Sequence, residues 1–92
     1  MASKFTAYIT KHALTGGIEK LEVRDCFDIS PTMVARDGHF TGHYHGGDWH
    51  RDYADALVKA ESMRVKKIAS LKKQIAKLEK MTFVEPQEAH NG

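Results

Sequence analysis

Lysine recurs at every seventh position along one stretch of this chain, at Lys59, Lys66, Lys73 and Lys80. On an α-helix that interval is close to two full turns, so the four ammonium groups stand in one row about 10 Å apart. Lys77 adds to this row, Lys67 and Lys72 lie to either side of the opposite face, and Arg64 completes the set. Between Lys59 and Lys80 these eight cations face only Glu61 and Glu79, which leaves the segment at +6, while the first fifty residues carry five basic and six acidic groups. Nearly all the positive potential therefore belongs to one element, and its chemistry is that of binding to a polyanion or an acidic protein patch. Lysine is a flexible point charge suited to phosphate oxygens, and the small residues Ser62, Ala69 and Ala76 beside the row leave room for close approach. With Arg64 as the one arginine of the set, the pattern favours backbone or acidic-patch contact over base-edge readout, which leans on bidentate arginine. A merely solvated helix face also uses lysine, but it pairs each with an acid four residues away, and such partners are nearly absent here.

A second group that could do chemistry is His39, His43, His45, Asp48 and His50. Neutral imidazoles with a carboxylate can bind zinc, yet this spacing matches no established metal motif and no cysteine lies nearby. These residues are expected to form a polar rim around a hairpin, with Tyr44 available for stacking or hydrogen bonding, and no metal or other cofactor is expected. Cys26 is the single cysteine; it cannot form an internal disulfide, reads as a small, partly buried side chain, and fits a reducing, cytoplasmic setting. There is no Gly-rich phosphate loop, no HExxH and no Ser/His/Asp arrangement with local support. The chain reads as a binder and not as an enzyme; a metal-dependent enzyme built on the histidines is the contrary reading.

Positioning these residues falls to an α+β fold: an antiparallel sheet of three or four short strands from residues 4 to 45, then one long amphipathic C-terminal helix. Phe5, Ala7 and Ile9 alternate with Thr6, Tyr8 and Thr10, the period of a strand with one buried face. Thr15-Gly16-Gly17 offers a reversal, and Ile18 to Arg24 alternates again, so the two segments form a hairpin. Ser30-Pro31 breaks the chain, Thr32 to Ala35 reads as a short strand, Asp37-Gly38 as a tight two-residue turn, and Phe40 to His45 as the returning strand. Trp49 is expected to be buried, stapling against Tyr53 just ahead of the helix, with Asp48 and Asp52 as candidate N-caps.

From Tyr53 no Gly or Pro interrupts the helix for almost thirty residues, longer than such a sheet can cover, so part of it should project or pack elsewhere. Tyr53, Ala56, Leu57, Ala60 and Met63 have the spacing to lie on the sheet. Further on, Ile68, Leu71, Ile75 and Leu78 keep strict a/d spacing, with Glu61 and Arg64 interrupting the seam before them. That seam is expected to pack on the domain's own core, with homodimerisation as the alternative. Residues 1–83 should form one small domain, and 84–92, which lack periodicity, a flexible tail. No apolar run approaches a membrane span.

Two stretches carry a resemblance. One runs from Phe5 to Ile18 (FTAYITKHALTGGI); the other is Trp49-His50-Arg51 followed by Ala56-Leu57, Ala60-Glu61, Met63-Arg64 and Lys67 to Glu79 (KIASLKKQIAKLE). They resemble small accessory proteins of phages and prophages of proteobacteria, and the chain looks like a type I-F anti-CRISPR protein. The resemblance implies a bacterial cytoplasmic inhibitor that binds stoichiometrically to a crRNA-guided Cas surveillance (Cascade) complex and blocks target DNA binding. It transfers no functional residues. A net charge of +2 argues against DNA mimicry by a carpet of carboxylates. A basic helix suits guide-RNA backbone or acidic Cas surface, and in such complexes the RNA reads the target by base pairing. The alternative is a small nucleic-acid-binding regulatory or accessory protein, dimeric through its C-terminal helix.

Overall fold

The structure, a computed structural model, describes residues 3–38 and 42–86. Strand β1 (Lys4–Ile9) leads through a single helical turn, α1 (Ala13–Gly16), into β2 (Glu19–Asp25), and β3 (Val34–Arg36), β4 (His43–Tyr44) and β5 (Trp49–His50) follow. Then come α2 (Tyr53–Glu79) and an exposed extension from Met81 to Pro86, the last of the described residues. The strands form one antiparallel sheet in the order β4-β3-β2-β1-β5, an α+β arrangement.

The β1–β2 hairpin forms where alternation is strongest, with Phe5 opposite Val23, Ala7 opposite Leu21 and Ile9 opposite Glu19. Its connection is a helical turn, because Gly17 (φ +80°) takes a left-handed conformation that closes α1 through its N–H on Ala13 O. The next hairpin departs from the expected two-residue turn. Val34 faces Tyr44, Ala35 faces His43, and Arg36 N–H donates to Gly42 O at 2.7 Å, a register that a two-residue turn at Asp37-Gly38 would not give. Gly38 does adopt a positive φ (+78°), and the described part of the returning strand is His43–Tyr44. Phe40 and Thr41 lie outside the described residues, as does His39.

β5 is a strand that sequence pattern did not suggest, since two residues are too short to show a period. It pairs with β1, placing Tyr8 opposite His50 and Ile9 opposite Trp49. β4 and β5 thus occupy opposite edges of the sheet while only four residues, His45–Asp48, join them. Four strand spacings in a flat sheet would separate the edges by about 19 Å. The connection cannot bridge that gap, since it turns back on itself through Asp48 N–H on His45 O (2.9 Å). The sheet must curl. Thr32 helps hold it closed: its Oγ1 accepts from Gly46 N (3.2 Å) and its carbonyl from Trp49 Nε1 (2.9 Å). A Cβ on Gly46 would stand 3.0 Å from Thr32 Cβ, so the approach favours glycine.

The larger core cluster therefore lies within the curl and is made of strand residues: Ala7, Ile9, Val23 and Val34 are buried, with Phe5, Leu21, Tyr44 and Trp49 packed around them. Cys26, Met33 and Ala35 form a smaller buried cluster. Because side chains alternate across a strand, Tyr8 points to the other face, where its ring meets Tyr53 of α2 edge-on at 5.6 Å. The helix docks there through Ala56, which is buried, and through Ala60 and Met63, which are half-buried; Tyr53 and Leu57 remain exposed. Beyond Met63 every helical residue is exposed. At 1.5 Å per residue the 27-residue helix is about 40 Å long, and more than half of it projects from the domain. The radius of gyration is 21.2 Å, where a globular chain of this length would have about 12 Å.

Projection corrects one expectation. The Ile68, Leu71, Ile75 and Leu78 seam does not pack on the domain's own core, and its members are 38, 42, 53 and 64 % exposed. A sheet curled over its own core offers no apolar surface long enough to receive it.

Candidate polyanion interface

Asp52 stands at the N-cap with extended backbone (φ −114°, ψ 138°), and its carbonyl accepts the Ala56 N–H; its side chain makes no capping bond. Asp55 lies in the first turn and Lys77 in the last, so both ends carry charge that suits the helix dipole. Good helix formers and an uninterrupted run then carry the element out into solvent.

All eight predicted cations, Lys59, Arg64, Lys66, Lys67, Lys72, Lys73, Lys77 and Lys80, belong to this element or its C-cap and are exposed. Seven-residue spacing aligns Lys59, Lys66, Lys73 and Lys80 on the side away from the Ile/Leu seam, and the row extends about 30 Å. Among the described residues the only ion pair on α2 is Arg64 with Glu61. Arg64 donates to Glu61 Oε2 through Nε (3.0 Å) and Nη2 (2.7 Å). That hydrogen bond, and secondarily the opposite charge, holds the Glu61 carboxyl below and the Arg64 guanidinium above their ordinary ranges. Arg64 is thus already engaged and lies on the seam side, so the lysines carry the free charge of the face. Uncompensated ammonium groups on a helix repel one another, and a bound polyanion relieves that repulsion.

The described histidines come from different elements. His43 is on edge strand β4 and His50 on the opposite edge strand β5, while His45 and Asp48 sit in the turn between them. His50 is committed locally, its Nε2 lying 3.2 Å from Thr10 Oγ1. Among the described residues no group of three or more His, Cys, Asp or Glu could hold a metal ion. Tyr44 belongs to the rim of the core and is not a free stacking surface.

Sequence reasoning missed the cluster around Trp49. Its ring meets Phe5 at 5.6 Å, not Tyr53, and it is half-buried. The Arg51 guanidinium lies 4.0 Å over Phe5 and 5.8 Å from Trp49, closing one end of the core with a stacked cation. No periodic signal pointed to this stack, because β5 is only Trp49–His50 and Arg51 follows it.

The chain matches no protein-family model, no curated protein and no solved structure. No helix is long and apolar enough to cross a membrane among the described residues.

Proposed function

We propose that this protein is a stoichiometric binder that lays its projecting basic helix against an anionic surface, and that this surface belongs to a crRNA-guided Cas surveillance complex. The observation that carries the reading is the lysine row, held clear of the domain on a helix with one ion pair among the described residues. Such a helix can follow guide-RNA phosphates or an acidic Cas surface and obstruct the pairing of target DNA with the guide. The resemblance to type I-F anti-CRISPR proteins supplies the identity of the partner; the charge distribution supplies the chemistry of the contact. An inhibitor of this kind acts in the bacterial cytoplasm and needs no catalytic group.

The test is equilibrium binding to the purified crRNA–Cas complex and to its guide RNA alone, with target DNA binding as a second readout. The complex should bind tightly and lose target DNA. The pair Lys66→Glu and Lys73→Glu should weaken binding by well over tenfold, because each lost charge contact is worth about 1 kcal/mol. Circular dichroism should be unchanged, since both side chains lie outside the core. Equal affinity for free RNA or DNA would point instead to a nucleic-acid-binding accessory protein. Unchanged affinity in the double variant would remove the lysine face from the contact.

A further inference from the structure

The lysine reading leaves the opposite side of α2 unexplained. There Val65, Ile68, Leu71, Ile75 and Leu78 form a continuous apolar stripe, each between 38 and 64 % exposed, and Met81, Phe83 and Val84 continue past the helix end at 45, 88 and 86 %. Val65, Ile68, Ala69 and Lys72, spaced i, i+3, i+4 and i+7, frame an open apolar depression. That depression opens on one flank of the stripe, while Ile68, Leu71, Ile75 and Leu78 themselves keep the a/d spacing of a helix that pairs with another. The projecting half of α2 is thus shaped as one strand of a helix pair.

We propose that the occupant is a second copy of this chain, paired antiparallel through the projecting half of α2 in a register centred on Lys73. In that register Ile68 meets Leu78 of the second copy, Leu71 meets Ile75, and the two reciprocal layers follow by symmetry. All four layers are apolar, and each joins an a residue to a d residue, as antiparallel pairing requires. Arg64 falls past the C-terminal end of the second copy's helix and not opposite another helical charge. The exposed apolar residues after the helix arrive at the level of Met63 and Val65 of the second copy, where Glu61 and Arg64 interrupt the seam.

Charge selects this orientation. A parallel pair would stack Arg64 on Arg64 and Glu61 on Glu61 in the core positions, and would set Lys67 against Lys72 on both flanks. The antiparallel pair keeps one like-charge contact, Lys72 with Lys72, and places Gln74 against Gln74 on the other flank. It also sends the two curled sheets to opposite ends of the helix pair. The lysine row remains outward on both copies, so the inference stands independently of what that row binds. Two heptads make a short seam, and the association should be weak, with a Kd of about 10–100 μM.

Sedimentation velocity from about 5 to about 500 μM reads the equilibrium. The expected result is a monomer–dimer transition in that range, abolished by Leu71→Glu with Ile75→Glu. Both residues lie outside the folded core, so the variant's near-native melting temperature serves as the folding control. Orientation is read by mild oxidation of single-cysteine variants against the parent chain, whose Cys26 is buried. Gln74→Cys should cross-link to itself, and Leu78→Cys should not. A monomer at every concentration overturns the proposal, as does a dimer that survives the double substitution. Self-linking of Leu78→Cys without that of Gln74→Cys overturns the antiparallel register. A seam variant that loses binding to the surveillance complex, in a chain that never dimerises, assigns the stripe to that target and overturns the second copy.

Discussion

Thr10 is the one buried polar residue among the described residues, at 1 % exposure. It sits where the curl closes: its N–H donates to Asp48 O at 2.8 Å, and its Oγ1 lies 3.3 Å from Gly47 O, 3.4 Å from Asp48 O and 3.2 Å from His50 Nε2. One hydroxyl therefore ties the end of β1 to the β4–β5 connection and to β5 itself. Thr10→Val keeps the shape and removes the donor and acceptor, leaving part-buried carbonyl and imidazole groups without that partner. The expected cost is about 1–2 kcal/mol, read as a fall in melting temperature of roughly 5–15 °C. Thr6→Val is the comparison. Thr6 Oγ1 also bonds a side chain, Glu22 Oε1 at 2.6 Å, but that pair is exposed and its loss should cost clearly less. The Glu61–Arg64 pair makes a third case. Glu61 has a depressed folded pKa, so any contribution is present above the ordinary carboxylate range and is lost as pH falls through the depressed value. The pair is exposed, which confines the effect to local helix order, and global melting should not register its loss.

The helix is two elements in one. Tyr53 to Met63 is held by the sheet, whereas Arg64 to Glu79 has only its own backbone bonds and the propensity of its lysines, leucines and alanines. At low micromolar concentration, amides from Lys66 to Glu79 should exchange by local opening well before those of β1 and of Ala56 to Met63. Protection of the distal half should then rise with protein concentration as seams pair. Equal protection along the whole helix at dilution would contradict this division. The same contrast explains what sequence revealed. β1, β2 and the helix were legible because Phe5-Ala7-Ile9, Leu21-Val23 and the long uninterrupted run each repeat a period several times. β5 and the length of the second hairpin loop were not, because two residues carry no period and Asp37-Gly38 is compatible with more than one loop length. The seam was visible as a/d spacing, but spacing alone does not say what covers it. That depends on the sheet's curl, which follows from the four-residue link between its outermost strands. The lysine row was fully legible, since it is a property of one helix; the Arg51–Phe5–Trp49 stack was not, since it depends on β5.

At the scale of the whole molecule, a near-neutral curled sheet carries a cationic arm, within overall extents of 70 × 35 × 20 Å. Separation of charge from core has a direct consequence for binding. Contacts made by exposed lysines on an arm are screened by salt and involve release of counterions from an RNA partner, so affinity should fall steeply as ionic strength rises. A roughly four-lysine contact with RNA predicts a loss of about 50- to 150-fold between 50 and 200 mM salt, and Lys66→Glu with Lys73→Glu should flatten that slope. A contact carried mainly by the curled sheet would show a shallow slope that the substitutions leave alone. The arm also dictates stoichiometry. A surface that works by occupancy is consumed by its target, so inhibition should titrate linearly and reach its plateau at about one chain per binding site. Helix pairing does not change that ratio, because each copy keeps its own outward lysine row. Target RNA and protein should keep their masses throughout. If a small fraction of one equivalent silenced the whole target pool, or a modified RNA or protein accumulated, occupancy would be the wrong mechanism. The search would then return to the polar side chains of the β4–β5 turn for a catalytic group.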